Sequence, residues 1–170
     1  TKSYEAVFSQ GHAEFKRRDD GFETRTEIVV SPEDDVEVRR IRITNRNSSR
    51  KTIEITSYAE VVLAPQDADV SHPVFSNLFV QTEIIPAKGA ILCTRRARSS
   101  EETPPWLFHM ISVTGAENVA QSFETDRMAF IGRGRSVQNP VSMETIGNLK
   151  GGQGAVLDPI ISIRQKIYLK

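Results

Sequence analysis

The chain has 170 residues, with 22 Lys and Arg balanced by 22 Asp and Glu, one Cys and three His. That length can bury a core, and the charge balance excludes a general nucleic-acid binder, which needs a basic field to release phosphate counterions. A lone Cys excludes an internal disulfide scaffold and a Cys-rich zinc site, and three separated His argue against a His-based metal centre. No apolar run approaches the ~18 residues of a membrane span, and no secretory signal is legible. The first residue is Thr1 rather than Met, so the chain is expected to be a processed or excised piece.

Composition points to strands. There are 15 Val, 15 Ile and 12 Thr against 7 Leu, and β-branched residues suit a pleated, half-buried surface. Of the 22 cations 15 are Arg. The bland reading of that excess, ion pairs across sheet faces, outweighs specific carboxylate or phosphate recognition.

In chain order, residues 14–18 lead into Asp19-Asp20-Gly21, a hairpin-turn signal. Residues 22–30 then alternate, with Phe22, Thr24, Thr26, Ile28 and Val30 on one face and Glu23, Arg25 and Glu27 on the other. In 36–45 the apolar parity slips between Val38 and Ile41, which predicts a β-bulge near Arg39-Arg40. Asn47-Ser48-Ser49 matches the glycosylation pattern by chance in a loop. Residues 51–63 read as one long strand of ~40 Å, with Tyr58 and Glu60 on its polar face. An irregular segment follows over 66–77, containing Asp67, Asp69 and His72. Strands resume at 78–85, at 90–98 and at 106–114, the last apolar on both parities and therefore expected centrally in a sheet. One short helix is predicted near 125–130 with Thr125 as its cap. The Gly-rich stretch 147–154 reads as a flexible connection, and 160–169 as a closing strand. Strands joined by turns without interleaved helices indicate an all-β antiparallel sandwich with at most one short helix.

Few residues suggest chemistry. Gly132-Arg133-Gly134-Arg135, after Asp126-Arg127, could let backbone N–H groups and arginines grip an anion. A loop whose arginines pair with Asp126 or dock on a neighbouring domain is favoured about two to one on so short a motif. Lys150 stands on the wrong side of its glycines for a phosphate loop. Trp106, beside Pro104-Pro105, could stack on a sugar but is more often core or interface. His72 suggests a structural bond, and Cys93 a buried thiol. Asp126 with Glu60 or Asp158 could form an acid–base pair if their separation suited inverting chemistry.

Several longer segments add a resemblance. Residues 57–63, His72-Pro73-Val74-Phe75-Ser76-Asn77-Leu78-Phe79-Val80 and Thr125-Asp126-Arg127 through Phe130-Ile131-Gly132-Arg133-Gly134-Arg135 carry it. With Arg39-Arg40 and Leu157-Asp158-Pro159-Ile160, they resemble the β-sandwich domain of glycoside hydrolase family 94, formerly glycosyltransferase family 36. Within that family the likeness is to the phosphorylase-like portion of cyclic β-1,2-glucan synthases, and it runs from Tyr4 to Leu169. The resemblance implies a super-sandwich fold, and an (α/α) barrel elsewhere in the parent chain that holds the general acid and cleaves β-glucosidic bonds with phosphate. No catalytic residue carries over.

Residues 1–170 are therefore expected to be a single β-sandwich domain, N-terminally truncated and part of a larger multidomain enzyme. Its expected role is non-catalytic: packing on the barrel and shaping its β-glucan cleft. An independent carbohydrate-binding module is the alternative. Glu60, Arg127, Arg133 and Arg135 are the candidates for contacts to barrel or glucan. No metal, cofactor, nucleic acid or direct membrane insertion is expected, and isolated copies could pair as a homodimer through a bare face. The expected setting is the cytoplasm, in a parent associated with the inner membrane.

Overall fold

A computed structural model describes residues 3–97, 99–144 and 147–170. The chain forms two compact units, one running up to residue 53 with 168–170 added, the other covering 54–167.

The first unit is built on a four-stranded antiparallel sheet in chain order: β1 (Ser3–Ser9), β2 (His12–Asp19), β3 (Phe22–Val30) and β4 (Glu37–Asn45). β1 escaped the sequence reading. The β2–β3 turn is the one expected from Asp20-Gly21, both at positive φ (44° and 78°), as a two-residue hairpin of the primed type requires. The bulge expected near Arg39-Arg40 is absent. The β3–β4 register runs unbroken from Phe22 opposite Asn45 to Val30 opposite Glu37. The parity slip is absorbed by mixed faces: Val38 lies opposite Val29 and Arg39 opposite Ile28.

One face of this sheet carries an ionic lattice. Lys16 reaches Glu5 (3.3 Å) and Glu14 (3.2 Å), Arg25 reaches Glu14 (2.9 Å) and Glu27 (3.1 Å), and Arg40 reaches Glu27 (3.4 Å). Opposite charges brought together in this way employ two of the 15 arginines, Arg25 and Arg40.

The remaining elements are β5 (Lys51–Thr56), β6 (Ala59–Glu60), α1 (Gln66–Ser71), α2 (Pro73–Asn77), β7 (Val80–Ile85), β8 (Ala90–Arg95), β9 (Trp106–Met110), β10 (Glu117–Asp126), α3 (Arg127–Ile131), α4 (Val141–Glu144) and β11 (Pro159–Leu169). One sheet has the order β10-β11-β5, with β6 also on β11; the other has the order β7-β8-β9. In the second unit the two sheets share a core of Val61, Leu63, Val80, Ile91, Cys93, Phe123, Ile161 and Ile163. A smaller cluster, Phe130, Ile131, Leu149 and Ile160 with Tyr58 against it, covers the other side of β11. The all-β, antiparallel reading stands, with four short α-helices among the described residues where one was expected.

Several local expectations change. The long strand over 51–63 breaks after Thr56. Ser57 takes over the ladder to β11: its N–H donates to Ile163 O (2.9 Å), and its Oγ accepts from Ile163 N (3.0 Å) and meets His109 Nε2 at 2.8 Å. A side chain standing in for a peptide group interrupts the pleat. The 66–77 segment holds two short helices, punctuated by Pro65 and Pro73 at their starts. β9 lies at a sheet edge and not centrally: its second apolar parity, Trp106, Phe108 and Met110, is exposed. The strand expected over 90–98 ends at Arg95, and Arg98 lies outside the described residues.

The cap of α3 is Asp126, not Thr125. Its carboxylate accepts from the N–H groups of Met128 (2.8 Å) and Ala129 (3.4 Å). Thr125 is fully buried and bonds Thr82 Oγ1 (2.5 Å) and Gly152 O (2.8 Å). The stretch 147–154, read as flexible, is pinned through Gly151 N to Phe123 O (2.9 Å), Thr125 N to Gly152 O (3.1 Å) and the Thr82–Gly154 bridge. A Cβ at Gly152 would come 2.6 Å from Glu124 Oε1, so a side chain there would have to displace a carboxylate held by the N–H groups of Thr125 and Asp126.

Covered on both sides, β11 must satisfy its polar residues internally. Ser162 Oγ donates to Ser57 O (2.8 Å) and Gln165 Nε2 to Ala120 O (3.0 Å). Arg164, with its side chain 5% exposed, donates to Thr56 Oγ1 (3.0 Å), Gly147 O (2.7 Å) and Ser142 O (2.5 Å), with Glu54 at 3.8 Å. Arg164→Met is expected to lower stability by about 2–4 kcal/mol, since it orphans buried carbonyls. Arg164→Lys should recover little, because an ammonium cannot reproduce the planar fork. Urea unfolding of the two variants beside wild type checks both.

Candidate functional site

The described polar side chains of the second unit converge most densely where β6, α3 and the entrance to β11 meet. Glu60 closes β6, Arg127 opens α3, and Asp158 precedes Pro159 at the head of β11. Arg127 Nε donates to Glu60 Oε1 (3.1 Å), and its Nη1 lies 3.6 Å from Asp158 Oδ2. The pairing is fixed from below, because Arg127 N donates to Asp158 O (3.0 Å) and Val61 N to Pro159 O (3.2 Å). Tyr58 Oη donates to Glu60 Oε1 (3.1 Å), while its ring packs on Phe130 with centroids 5.1 Å apart. Asn77, at the end of α2, donates to Asp158 Oδ1 (3.2 Å).

Two carboxylates thus share one guanidinium, and all three groups remain partly exposed. Burial, first, raises the Asp158 pKa above its ordinary value; Glu60 and Asp126 add to this, and Arg127 and Asn77 oppose it. Burial also raises the Tyr58 phenol, and the bond with Tyr58 leads the causes that raise Arg127. The cluster can accept and donate several hydrogen bonds at once, as a polar ligand or a polar protein surface requires. It offers poor general-base chemistry: Glu60 and Asp158 are both tied to Arg127, and Asp126 is occupied as the α3 cap.

Of the residues singled out from sequence, Glu60 and Arg127 come together. Arg135 stands apart and pairs with Glu144 of α4 (2.6 Å), not with Asp126. Arg133 is exposed and has no ion pair among the described residues. The two arginines of the 132–135 segment therefore share no partner on which an anion loop would be centred. Asn77 was missed; the irregular segment 66–77 that it closes gave no chemical signal. Asp158 was weighed only as an acid–base partner of Asp126, not as a partner of Arg127 and Asn77.

Two other groups invite a chemical reading. Ser57 and His109 have the composition of a nucleophile and base, but Ser57 Oγ also accepts the Ile163 N–H and is part of the sheet. His12, Glu14 and Glu27 place ligand-type atoms within 4.8 Å of one another. Lys16, Arg25 and Arg40 already occupy those carboxylates and oppose a cation. Cys93 is fully buried, and burial pushes its thiol up to about 12, so it is not a nucleophile.

Asp158 yields a pH prediction. Its folded pKa lies above the ordinary 3.8, so the folded state holds more protons just above that pH, and stability from this group falls as pH rises there. Asp158→Asn keeps an acceptor for Asn77 and should flatten that part of the stability–pH curve. Thermal melts at half-unit steps from pH 3.5 to 7, in about 0.15 M salt to limit surface charge effects, compare the two proteins. A parallel pair of curves would contradict the assignment.

Comparison with known proteins gives this geometry a lineage. The model for the glycosyl hydrolase 94 supersandwich domain matches residues 1–170. The chain is 35% identical, over 160 residues, to the cyclic beta-(1,2)-glucan synthase NdvB of Rhizobium meliloti (strain 1021). That match takes in 94% of this chain and 6% of the relative, so the chain spans a small part of the protein it resembles. The segments that carry the cluster, residues 57–63, 72–80 and 125–135, fall inside the matched region of the family model, and the chain belongs to the glycosyl hydrolase 94 supersandwich family.

Proposed function

We propose that the chain is a non-catalytic domain of a β-glucan-acting glycosyltransferase or phosphorylase, which packs on a catalytic (α/α) barrel and helps shape its glucan cleft. Family membership supports the setting. The observation that carries the role is the Tyr58–Glu60–Arg127–Asp158 cluster. It is rigidly held, partly exposed, and internally neutralised in a way that suits docking better than turnover. An interface residue of this kind gains from being preorganised, since little side-chain freedom is lost on contact.

No described helix is long and apolar enough to cross a membrane. We place the domain on the cytoplasmic side of a parent enzyme associated with the inner membrane. A second reading, an independent carbohydrate-binding module, draws on the exposure of Trp106.

The test joins this chain to the barrel of a β-1,2-glucan-acting relative and measures phosphate-dependent release of glucose 1-phosphate from linear β-1,2-glucan. Turnover should appear only in the joined protein. Arg127→Glu should weaken sandwich–barrel association, or kcat/KM in the joined form, by about tenfold, equivalent to ~1.4 kcal/mol. Turnover by the chain alone would defeat the non-catalytic reading. An Arg127→Glu protein equal to wild type in both measurements would remove the cluster from the interface.

A further inference from the structure

The β7-β8-β9 sheet turns Ile91 and Cys93 to the core and the opposite parity outward. Register places Thr94 between Gln81 and Trp106, and Leu92 between Glu83 and Phe108. Trp106 is 68% and Phe108 55% exposed. Two aromatic side chains left in water at one sheet edge each forgo the burial that usually stabilises a fold, and a contiguous exposed set of this kind marks a contact surface.

The neighbours of the rings define what fits. A hollow of about 280 Å³ lies beside them, lined by Gln81, Glu83, Leu92 and Thr94 and walled by the chain at 154–155. That wall is fixed by Thr82 N to Gly154 O (3.0 Å) and Gly154 N to Thr82 O (2.8 Å). The set contains an amide, a hydroxyl and one carboxylate, and no cation. Phosphate-rich ligands and anionic lipid surfaces are therefore disfavoured. Met110 continues the row and Leu92 lies beside Phe108, but a large protein interface would need apolar area beyond these, and Thr94, Gln81 and Glu83 make the next positions polar.

A neutral pyranose matches both halves. Its C–H face packs on an aromatic ring, and its hydroxyls can donate to Glu83 and exchange hydrogen bonds with Gln81 and Thr94. Trp106 and Phe108 are two residues apart on one strand, which sets their bases about 6.7 Å apart, close enough to serve neighbouring sugars of one chain.

We propose that this outward face is a glucan-holding subsite, with Trp106 and Phe108 as its stacking platform and Gln81, Glu83 and Thr94 as its hydroxyl contacts. It deepens the reading of the chain as a glucan-enzyme domain and rests on it, adding a place where the polymer is held through residues other than those of the Arg127 cluster.

Trp106 is the only Trp in the chain, so its fluorescence reports on the site directly. Titration of the 170-residue chain with linear β-1,2-glucan oligosaccharides should give a saturable blue shift in the millimolar range or tighter. Phe108→Leu, which keeps apolar bulk but removes the ring, should weaken binding at least fivefold. Trp106→Leu, followed by calorimetry, should weaken it at least tenfold. Urea midpoints within error of wild type show that the variants fold.

No saturable shift, or full binding by both variants, overturns the subsite. So does a shift that follows protein concentration without glucan, since the face would then belong to a second copy. The joined-barrel assay separates the two readings: normal turnover there alongside silent titrations defeats the subsite alone, whereas failure of the joined protein to turn over removes the reading on which it rests.

Discussion

β11 is covered on both faces, and the second unit is organised around what that demands. A strand in that position usually reads as a continuous apolar run, yet this one carries Ser162, Arg164 and Gln165, all at or below 4% exposure. Buried donors without partners would each cost on the order of 1–3 kcal/mol. They are satisfied almost wholly by backbone carbonyls: Ser57 O, Ala120 O, Ser142 O and Gly147 O. The polar residues of one strand therefore set the course of four other segments. The break after Thr56, the approach of β10 and the placement of the Ser142 and Gly147 carbonyls serve that single requirement.

Arginine serves different ends at different depths. On the first sheet, Arg25 and Arg40 lie in a lattice at the surface where each pair contributes little; Lys16 stands directly opposite Arg25 and Glu14 opposite Glu27, and the Arg25–Glu14 contact is made on the diagonal. Arg164 is at the other extreme, where a charge is tolerable only because its fork is filled. Arg95 is buried as well, with Glu102 at 3.3 Å and its guanidinium over the Phe79 ring. Arg127 belongs to neither class. Its partners are partly exposed, so its ion pairs add modestly to stability, while its backbone anchor and the capped helix behind it fix its direction. A residue held so firmly for so small an energetic return is better explained by what it presents outward.

The legible parts of the fold were those decided locally. Asp20-Gly21 needs positive φ and made a turn; Phe22–Val30 alternates and made a strand. The misread parts were decided by neighbours. Val38 could be placed only once Val29 stood opposite it. Ser57 looked like one more polar residue in an alternating run until its Oγ entered the β11 ladder. Thr125 and Asp126 are both good caps by type, and the packing of Thr125 against Thr82 left the role to Asp126. At the site, Glu60 and Arg127 were legible because they sit in long, distinctive segments, whereas Asn77 and the shared role of Asp158 depend on three chain segments meeting. The placement of β9 failed differently. Core and edge positions of an apolar strand look alike in sequence, and only the sheet order β7-β8-β9 tells them apart.

The two outward features of the second unit suit different partners, and the difference lies in charge. The Arg127 cluster is ionic and internally paired. Bringing it against a protein surface replaces water with fixed dipoles around groups already neutralising one another, which limits the desolvation penalty that isolated charges would incur. A sugar gains little there, because its hydroxyls would compete with ion pairs already made. The Trp106 face is nearly neutral and combines rings with single hydrogen-bonding groups. A protein surface would cover the rings but leave Gln81, Glu83 and Thr94 in need of well-placed partners, whereas a polyhydroxylated chain brings apolar C–H faces and hydroxyls in every residue. The two surfaces therefore divide the proposed roles by chemistry, an ionic contact for a catalytic neighbour and an aromatic, hydroxyl-matching one for polymer.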